Sequence, residues 1–311
     1  MRGVADVRVE KNSLAACEPS MPTLPQLANV IISGALTGTV YGLMALGLSA
    51  IFGVIRLVNF AHGELMTLAM YTAVVAFQGL ALDPFVTMVG AAAAFAGIGY
   101  VIQRAFINRF VHRPEHAQML LMIALSMIIA NLLLLGFGPD ARNVQTSYQL
   151  DSFELGTILL DKARVYAAAA AVLATAVLAA FFRFTLTGKA IRACADNPLG
   201  ARVAGLPVAH LYAVTFGVGA ACVAVAGCAM VSLIDVTPTL GPSYTLLAFV
   251  IVIVGGLGSM VGALLGGLLI GVSEALAGVL ITPSAKSMVS FGLLILVLLA
   301  RPQGLMGGGR R

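Results

Sequence analysis

The sequence predicts an all-α, polytopic integral membrane protein with about 8–10 transmembrane helices. Hydrophobic residues make up 60% of the 311 residues and charged residues only 10%, whereas a soluble domain carries about 25% charged residues. The apolar residues occur in runs of roughly 20, the length that an α-helix needs to cross about 30 Å of hydrocarbon. Polar or basic stretches separate these runs, as loops do in a membrane protein.

Nine apolar runs follow one another, and each is expected to form a helix. The first is rich in small residues such as Gly34, Gly38 and Gly42, which let helices approach closely in lipid. After it, residues 53–64 interrupt the apolar pattern and are a candidate re-entrant segment. The runs cover approximately residues 27–52, 65–80, 85–103, 117–137, 163–184, 208–233, 243–257, 255–280 and 286–300.

The domain organisation predicted from this pattern is simple. Residues 1–25 mix basic and acidic side chains and are expected to be a disordered N-terminal extension. Residues 26–306 form the transmembrane domain, and within it residues 185–207 stand out as a basic segment between two long apolar runs.

The distribution of Lys and Arg predicts the sidedness, because these residues concentrate on the cytoplasmic side of a membrane. Basic stretches at 104–113, at 183–202 and in the C-terminal tail are separated by even numbers of crossings, so all are expected in the cytoplasm. The acidic loop 139–162 is then expected outside. The N-terminus is also expected outside for nine crossings, unless a re-entrant segment near 53–64 changes the number of crossings. The net charge of +5 therefore reflects membrane orientation and does not indicate nucleic-acid binding.

The basic segment 185–207 predicts two short helices. Thr187 is expected to cap the first, and Asn197 followed by Pro198 is typical of a helix start. Gly205 supplies a stop to the second helix. The local pattern alone leaves two interpretations open, a solvated loop or a rigid helix pair offered to a partner outside the membrane.

Signatures of catalysis are missing from the sequence. The Gly188–Lys189 pair lacks the upstream glycine of a phosphate-binding loop and is followed by Ala190, so the chain is not expected to bind ATP through such a loop. No nucleophile-and-base pair stands out. The four cysteines have neither metal-ligand spacing nor the arrangement of a disulfide framework; they are Cys17, Cys194, Cys222 and Cys228. We therefore expect no enzyme activity, no metal and no cofactor.

A glycine pattern in the eighth run predicts close helix packing. Glycines repeat every four residues there, which on a helix makes a smooth stripe for a neighbouring backbone. Simple packing is favoured over a gating role. The residues concerned are Gly258, Gly262, Gly266, Gly267 and Gly271.

Polar residues in or beside apolar runs are candidates for a translocation path. An ionised carboxylate in the membrane is costly unless it is paired or hydrated, so it usually faces a partner or a water-filled cavity. Glu64 is either interfacial or part of such a path. Glu274 lies deeper in its predicted helix, which favours a path residue or a buried polar contact. Asn59 and His62 precede Glu64 in the interrupted stretch, and hydrogen bonding is the default role of His62.

Four stretches of the sequence are distinctive when taken together. They are VNFAHGELMTLAMYTA (58–73), GKAIRACADNPLGARVAGL (188–206), VIVGGLGSMVGALLGGLLIGVSEAL (252–276) and SFGLLILVLLARPQGL (290–305). In this order they resemble one known family, the permease subunits of branched-chain amino acid importers of the ATP-binding-cassette class. The chain is similar to the subunit of the heterodimer that carries an Asn-Phe-Ala-His-Gly-Glu sequence near its start, and the resemblance covers about residues 27–306.

The resemblance implies a set of partners and a location. The chain would pair with a homologous permease in the bacterial inner membrane, two ATPase subunits would dock from the cytoplasm, and a periplasmic binding protein would deliver the substrate. Segment 185–207 would be the cytoplasmic coupling helix pair that sits in a groove of the ATPase. The coupling residues implied are Gly188, Arg192, Ala193, Asp196 and Gly205.

Other functions remain open at this point. Importers of urea or short-chain amides share the same motifs, and the identity of the binding protein would distinguish them. An ATP-independent channel or secondary transporter would need an ion relay and, typically, broken helices in inverted repeats; no clear repeat is visible in the sequence. An intramembrane enzyme is the least supported alternative.

Overall fold

The computed structural model describes residues 24–111, 113–149, 151–155 and 158–307. The predicted extension 1–25 lies outside this part, except for residues 24 and 25, which begin the first helix. Antiparallel strands β1 (Ser152–Leu155) and β2 (Ile158–Asp161) form a small hairpin. The α-helices are α1 (Leu24–Ile55), α2 (His62–Leu80), α3 (Pro84–Ala105), α4 (Glu115–Phe137), α5 (Lys162–Phe184), α6 (Leu186–Asp196), α7 (Pro198–Val203), α8 (Val208–Met230), α9 (Gly241–Gly255), α10 (Met260–Leu280) and α11 (Ala285–Ala300).

Each apolar run of the sequence forms one of these helices, so the all-α prediction is confirmed. In the described part of the chain, six helices are long and apolar enough to cross a membrane, namely α1, α3, α4, α5, α8 and α10. Helices α9 and α11 are apolar but shorter, and α2 begins with the polar residues His62 and Glu64. The chain is a multi-pass membrane protein.

The bundle has two distinguishable ends. At one end, here called the basic end, Asn108 Nδ2 donates to Ala209 O at 3.1 Å, which brings the 104–111 stretch to the start of α8, next to α6 and α7. At the other, the hairpin end, Tyr148 donates to Asp83 Oδ2 at 2.8 Å and Gln149 to Ser232 O at 2.8 Å. The two predicted groups of loops therefore lie at opposite ends of the bundle.

Helices α1 and α8 form the buried centre, and they run in opposite directions. The helices that surround α1 correspond to those that surround α8. Helix α10 packs along α1, and α3 packs along α8 in the same manner. Likewise, α9 contacts α1 and α2 contacts α8. Helix α4 contacts α2 as α11 contacts α9. The helices α1–α4 and α8–α11 thus form an inverted repeat, a relationship that the sequence did not reveal.

Both halves of this repeat contain a break. After α1 ends at the basic end, residues 56–61 run back into the bundle, and α2 starts only at His62, inside the protein. After α8 ends at the hairpin end, residues 231–240 also run inward before α9 starts. The predicted interruption at 53–64 is therefore a re-entrant segment, and it has a counterpart at 231–240.

Glycines let the central helices approach each other. A Cβ on Gly266 would meet Ile251 O of α9 at 2.6 Å, and a Cβ on Gly271 would meet Gly38 Cα of α1 at 2.5 Å. Gly262 faces α9 and Gly267 faces α1 in the same way. Gly258, which the sequence pattern placed on this helix, lies before it in a loop with φ of 79°, because α10 is capped by Ser259, whose Oγ accepts from Gly262 N.

Candidate functional site

The first candidate site is the segment 185–207, which forms α6 and α7. Its cap differs by two residues from the prediction: Thr185, not Thr187, is the N-cap of α6, and its Oγ1 accepts a hydrogen bond from Gly188 N at 2.9 Å. A Cβ on Gly188 would overlap the backbone of Phe181 and Phe182. Only glycine therefore permits the sharp corner between α5 and α6.

Helix α6 is held on one face by the bundle. Ile191 and Cys194 share this face, and both are fully buried. They pack α6 against the ends of α1, α5 and α8. Burial raises the pKa of the Cys194 thiol. The segment is thus fixed to the helices on either side of it.

Helix α7 begins and ends as the sequence predicted. Asn197 Oδ1 accepts from Gly200 N at 2.8 Å, and Pro198 is the first helical residue. After the helix, Gly205 adopts φ of 80°, a left-handed conformation that glycine takes without strain. In this conformation Leu206 N reaches back to Ala201 O at 2.9 Å and closes the helix end.

The opposite face of the segment projects from the bundle. Arg192, Ala193 and Asp196 are exposed on α6. On α7, Leu199 is 71% and Val203 84% exposed, and they lie one turn apart on one face. An apolar tip flanked by charged residues is a surface suited to a protein partner.

A large cavity lies beside this segment at the basic end. Its volume is about 850 Å³, and it is lined by α6, the end of α1 and residues 306–307. Its polar lining comes from both sides and includes Ser49, Arg56, Lys189, Arg192, Asp196 and Ser259.

The second candidate site is the start of α2, where three of the predicted path residues meet. Asn59, His62 and Glu64 are at most 1% exposed. Asn59 Oδ1 accepts from Ala61 N at 3.1 Å, and His62 Nε2 lies 3.0 Å from Met44 O. Each of the three side chains also has one buried polar atom without a hydrogen-bond partner among the described residues: Asn59 Nδ2, His62 Nδ1 and Glu64 Oε2.

The start of α9 completes this site. Thr245 Oγ1 accepts from Gly63 N at 2.9 Å and donates to Phe60 O at 3.3 Å. Gly241, the first residue of α9, lies directly against the Glu64 carboxyl group, which would overlap any Cβ at this position. The N-termini of two broken helices therefore meet at Glu64, and helix N-termini stabilise negative charge.

Glu274 does not join this group. It lines a separate cavity of about 350 Å³ toward the hairpin end, between α1, α5, α10 and α11. Ser290 Oγ donates to Glu274 Oε1 at 2.7 Å, and Tyr41, Arg164 and Lys286 line the same cavity. The four predicted path residues are thus divided between two places.

Sequence reasoning did not identify Gly241, Thr245 and Ser126 as parts of the α2 site. Ser126 Oγ lies 3.5 Å from Glu64 Oε1. Thr245 and Gly63 are 182 positions apart, and no local pattern links them. Among the described residues, no group of three or more His, Cys, Asp or Glu side chains is placed to hold a metal ion.

Most of the chain matches one known protein family. Residues 30–298 match the family described as branched-chain amino acid transport system / permease component. The chain belongs to this family. It is therefore a transport permease, and the resemblance noted in the sequence is confirmed.

The permease aligns with its relatives over almost the whole length of each relative. The high-affinity branched-chain amino acid transport system permease protein BraD of Pseudomonas aeruginosa is 31% identical over 92% of this chain and 98% of its own. The corresponding protein LivH of Escherichia coli is 31% identical over 89% of this chain and 94% of its own. The probable permease LivH of Methanocaldococcus jannaschii is 24% identical over 89% and 92%. No solved structure gives a significant match.

Proposed function

We propose that the chain is the permease subunit of an ATP-driven importer that carries branched-chain or related amino acids across the bacterial inner membrane. The names of the relatives, BraD and LivH, support this substrate class. The proposed complex contains a homologous second permease, two ATPase subunits and a periplasmic binding protein. The permease itself makes no covalent change.

The observation that carries this proposal is the geometry of α6 and α7. Gly188 packs against α5 and Cys194 is buried among the bundle helices, so the pair is a rigid extension of the bundle. Its exposed face, with Asp196 and Leu199, would dock into the ATPase. Motion of the ATPases during the ATP cycle would then be transmitted to α5 and α8.

The path is proposed to involve Asn59, His62 and Glu64, with Glu274 in the cavity toward the hairpin end. Alternating access needs two packings of similar energy that ATP and the loaded binding protein bias differently. The broken helices α2 and α9 are suited to such a change, since transporters commonly place substrate sites at breaks between half-helices. Such breaks also occur in secondary transporters, so the choice of an ATP-driven importer rests on the family and on the coupling segment.

Purification of the tagged permease in mild detergent tests the complex, and uptake tests its activity. Two ATPases and a second permease should copurify, and proteoliposomes should take up leucine when ATP and the loaded binding protein are supplied. Asp196→Ala and Arg192→Ala should lower ATPase retention and uptake, whereas Glu154→Ala, an exposed change at the hairpin end, should not. Purification without ATPases, or transport of urea in place of leucine, would contradict the proposal.

The proposed orientation puts the basic end and the C-terminus in the cytoplasm and the hairpin end outside. In a background in which Cys17 is replaced by serine, a membrane-impermeant maleimide should label Ser152→Cys in intact cells but Leu199→Cys only after permeabilisation. The reverse pattern would contradict the orientation.

A further inference from the structure

A small cavity lies beside the α2 site and extends it. Its volume is about 200 Å³, and it lies between α4 and the residues that lead into α9. Glu64 supplies its one ionisable side chain, and most of the remaining wall is apolar. The lining residues are Glu64, Ala130, Asn131, Leu134, Pro238, Thr239 and Pro242.

The Glu64 carboxyl group in this wall is incompletely satisfied. Glu64 is 1% exposed, its Oε1 has only the 3.5 Å contact with Ser126 Oγ, and its Oε2 has no partner among the described residues. The ion pairs of the described residues join Asp151 with Lys162 and Asp161 with Arg164, at the hairpin end. Within residues 24–307, apart from the gaps, no cationic side chain is paired with Glu64.

A buried carboxylate oxygen without a partner, such as Glu64 Oε2, is costly unless a ligand supplies one. The N-terminus of α9 begins at Gly241, against the carboxyl group, and its dipole favours the ionised form. An ionised carboxylate in an otherwise apolar pocket complements a ligand with one cationic group and an apolar body. Branched-chain amino acids contain this combination in their ammonium group and aliphatic side chain, and the polar wall residues Asn131 and Thr239 are available to their carboxylate.

We propose that Glu64 binds the ammonium group of the amino acid in this cavity, with the aliphatic side chain against Leu134, Pro238 and Pro242. The proposal rests on the proposed function and adds to it the residue that recognises the substrate inside the permease. In this arrangement Glu64 selects for an amine during passage, independently of the binding protein. The ammonium donates hydrogen bonds to Glu64 and no proton is transferred.

Uptake by the complete complex in proteoliposomes tests this role. Glu64→Gln keeps the size of the side chain but removes its charge, so leucine uptake should fall about tenfold or more, the range expected for loss of a charge-assisted hydrogen bond. ATPase retention and the ATP hydrolysis stimulated by the loaded binding protein should stay within about twofold. Glu115→Gln, at an exposed position, is the matched control and should transport normally.

The outcomes separate the two proposals. Unchanged uptake by Glu64→Gln, with normal uptake by the wild type, would overturn the role of Glu64 alone. A wild-type complex that takes up no amino acid would overturn the proposed function and, with it, this inference. Equal loss of uptake and of ATPase retention in Glu64→Gln would show that this variant does not assemble, and the ligand-binding measurement on the wild type then decides.

A measurement on the wild type remains decisive where the Gln variant fails to assemble. Leucine and 3-methylbutylamine share the ammonium group and the branched chain, whereas 4-methylpentanoate lacks the amine. The first two should raise the thermal unfolding midpoint of the complex in nanodiscs by mass action, and the third should not. An equal rise with 4-methylpentanoate, or with sodium chloride at the same concentration, would overturn the proposal.

Discussion

The amide of Gly63 donates a hydrogen bond to Thr245 Oγ1 at 2.9 Å, and this bond joins the N-terminal parts of α2 and α9. The same hydroxyl donates to Phe60 O at 3.3 Å. Thr245 therefore satisfies a donor and an acceptor that the break before α2 would leave unpaired. Since α2 and α9 belong to opposite halves of the inverted repeat, one side chain ties the two halves together next to Glu64.

Thr245→Val should destabilise the permease, because valine keeps the shape of threonine but removes both hydrogen bonds. Gly63 N and Phe60 O would be left without partners inside the bundle, at a cost of about 1–3 kcal/mol. The thermal unfolding midpoint of the purified complex is the measurement. Thr72→Val is the control, since the Thr72 hydroxyl bonds only to the carbonyl of Leu68 in its own helix. Equal unfolding midpoints for both variants would contradict the role of Thr245 in joining α2 to α9.

Gly267→Ala should weaken the contact between α10 and α1. A Cβ on Gly267 would overlap the backbone of Gly42 and lie 2.8 Å from Gly38 O. Neither neighbour has a side chain that can move aside, so the helices must separate, at a cost of about 1–3 kcal/mol. Gly90→Ala in α3, whose Cβ would meet nothing within 4 Å, should be neutral or slightly stabilising.

The same pair of variants distinguishes packing from gating. If the glycine stripe serves packing, Gly267→Ala lowers the unfolding midpoint and uptake falls in proportion to the folded complex. A normal midpoint together with ATP hydrolysis that no longer depends on the loaded binding protein would instead indicate a gate.

The helices could be predicted from the sequence because their signals are local. Runs of apolar residues set the nine apolar helices of the described residues, and Asn197-Pro198 with Gly205 marked the ends of α7. The cap of α6 was assigned to Thr187 because two threonines, both residue types that cap helices, stand two positions apart. Thr187 lies inside the helix, and Thr185 has the extended backbone that lets its hydroxyl accept from Gly188 N.

The candidate site could be predicted only in part. Asn59, His62 and Glu64 were found as polar residues in an apolar chain, but their partners on α9 lie far away along the sequence. The inverted repeat escaped detection because, in lipid, many apolar sequences suit the same helix position. Gly258 was misplaced because its spacing continues the pattern of Gly262 and Gly266, although the capping Ser259 starts the helix after it.

Asn197→Ala should reduce coupling without unfolding the bundle. Asn197 Oδ1 caps α7 through Gly200 N at 2.8 Å, and loss of such a cap costs about 1 kcal/mol, a large effect for a helix of 6 residues. ATPase retention and uptake should fall while the unfolding midpoint of the membrane part stays unchanged. Asn197→Ser, which keeps a capping oxygen, should restore both; failure of serine to do so would exclude capping as the cause.

Tyr148 should make the stability of the hairpin end depend on alkaline pH. Its hydroxyl donates to Asp83 Oδ2 at 2.8 Å, and burial, with a contribution from Asp83, raises its pKa from 10.0 to about 12. The folded protein thus holds this proton more tightly than the unfolded chain does, so the stabilisation is complete below pH 10 and is lost as the pH rises toward about 12. The difference between wild type and Tyr148→Phe isolates this residue. The wild type should be more stable than the variant at neutral pH. The difference in unfolding midpoint should shrink as the pH rises from 10 toward about 12, because phenylalanine has no proton to lose. Parallel pH profiles of the unfolding midpoint would show that Tyr148 contributes no such dependence.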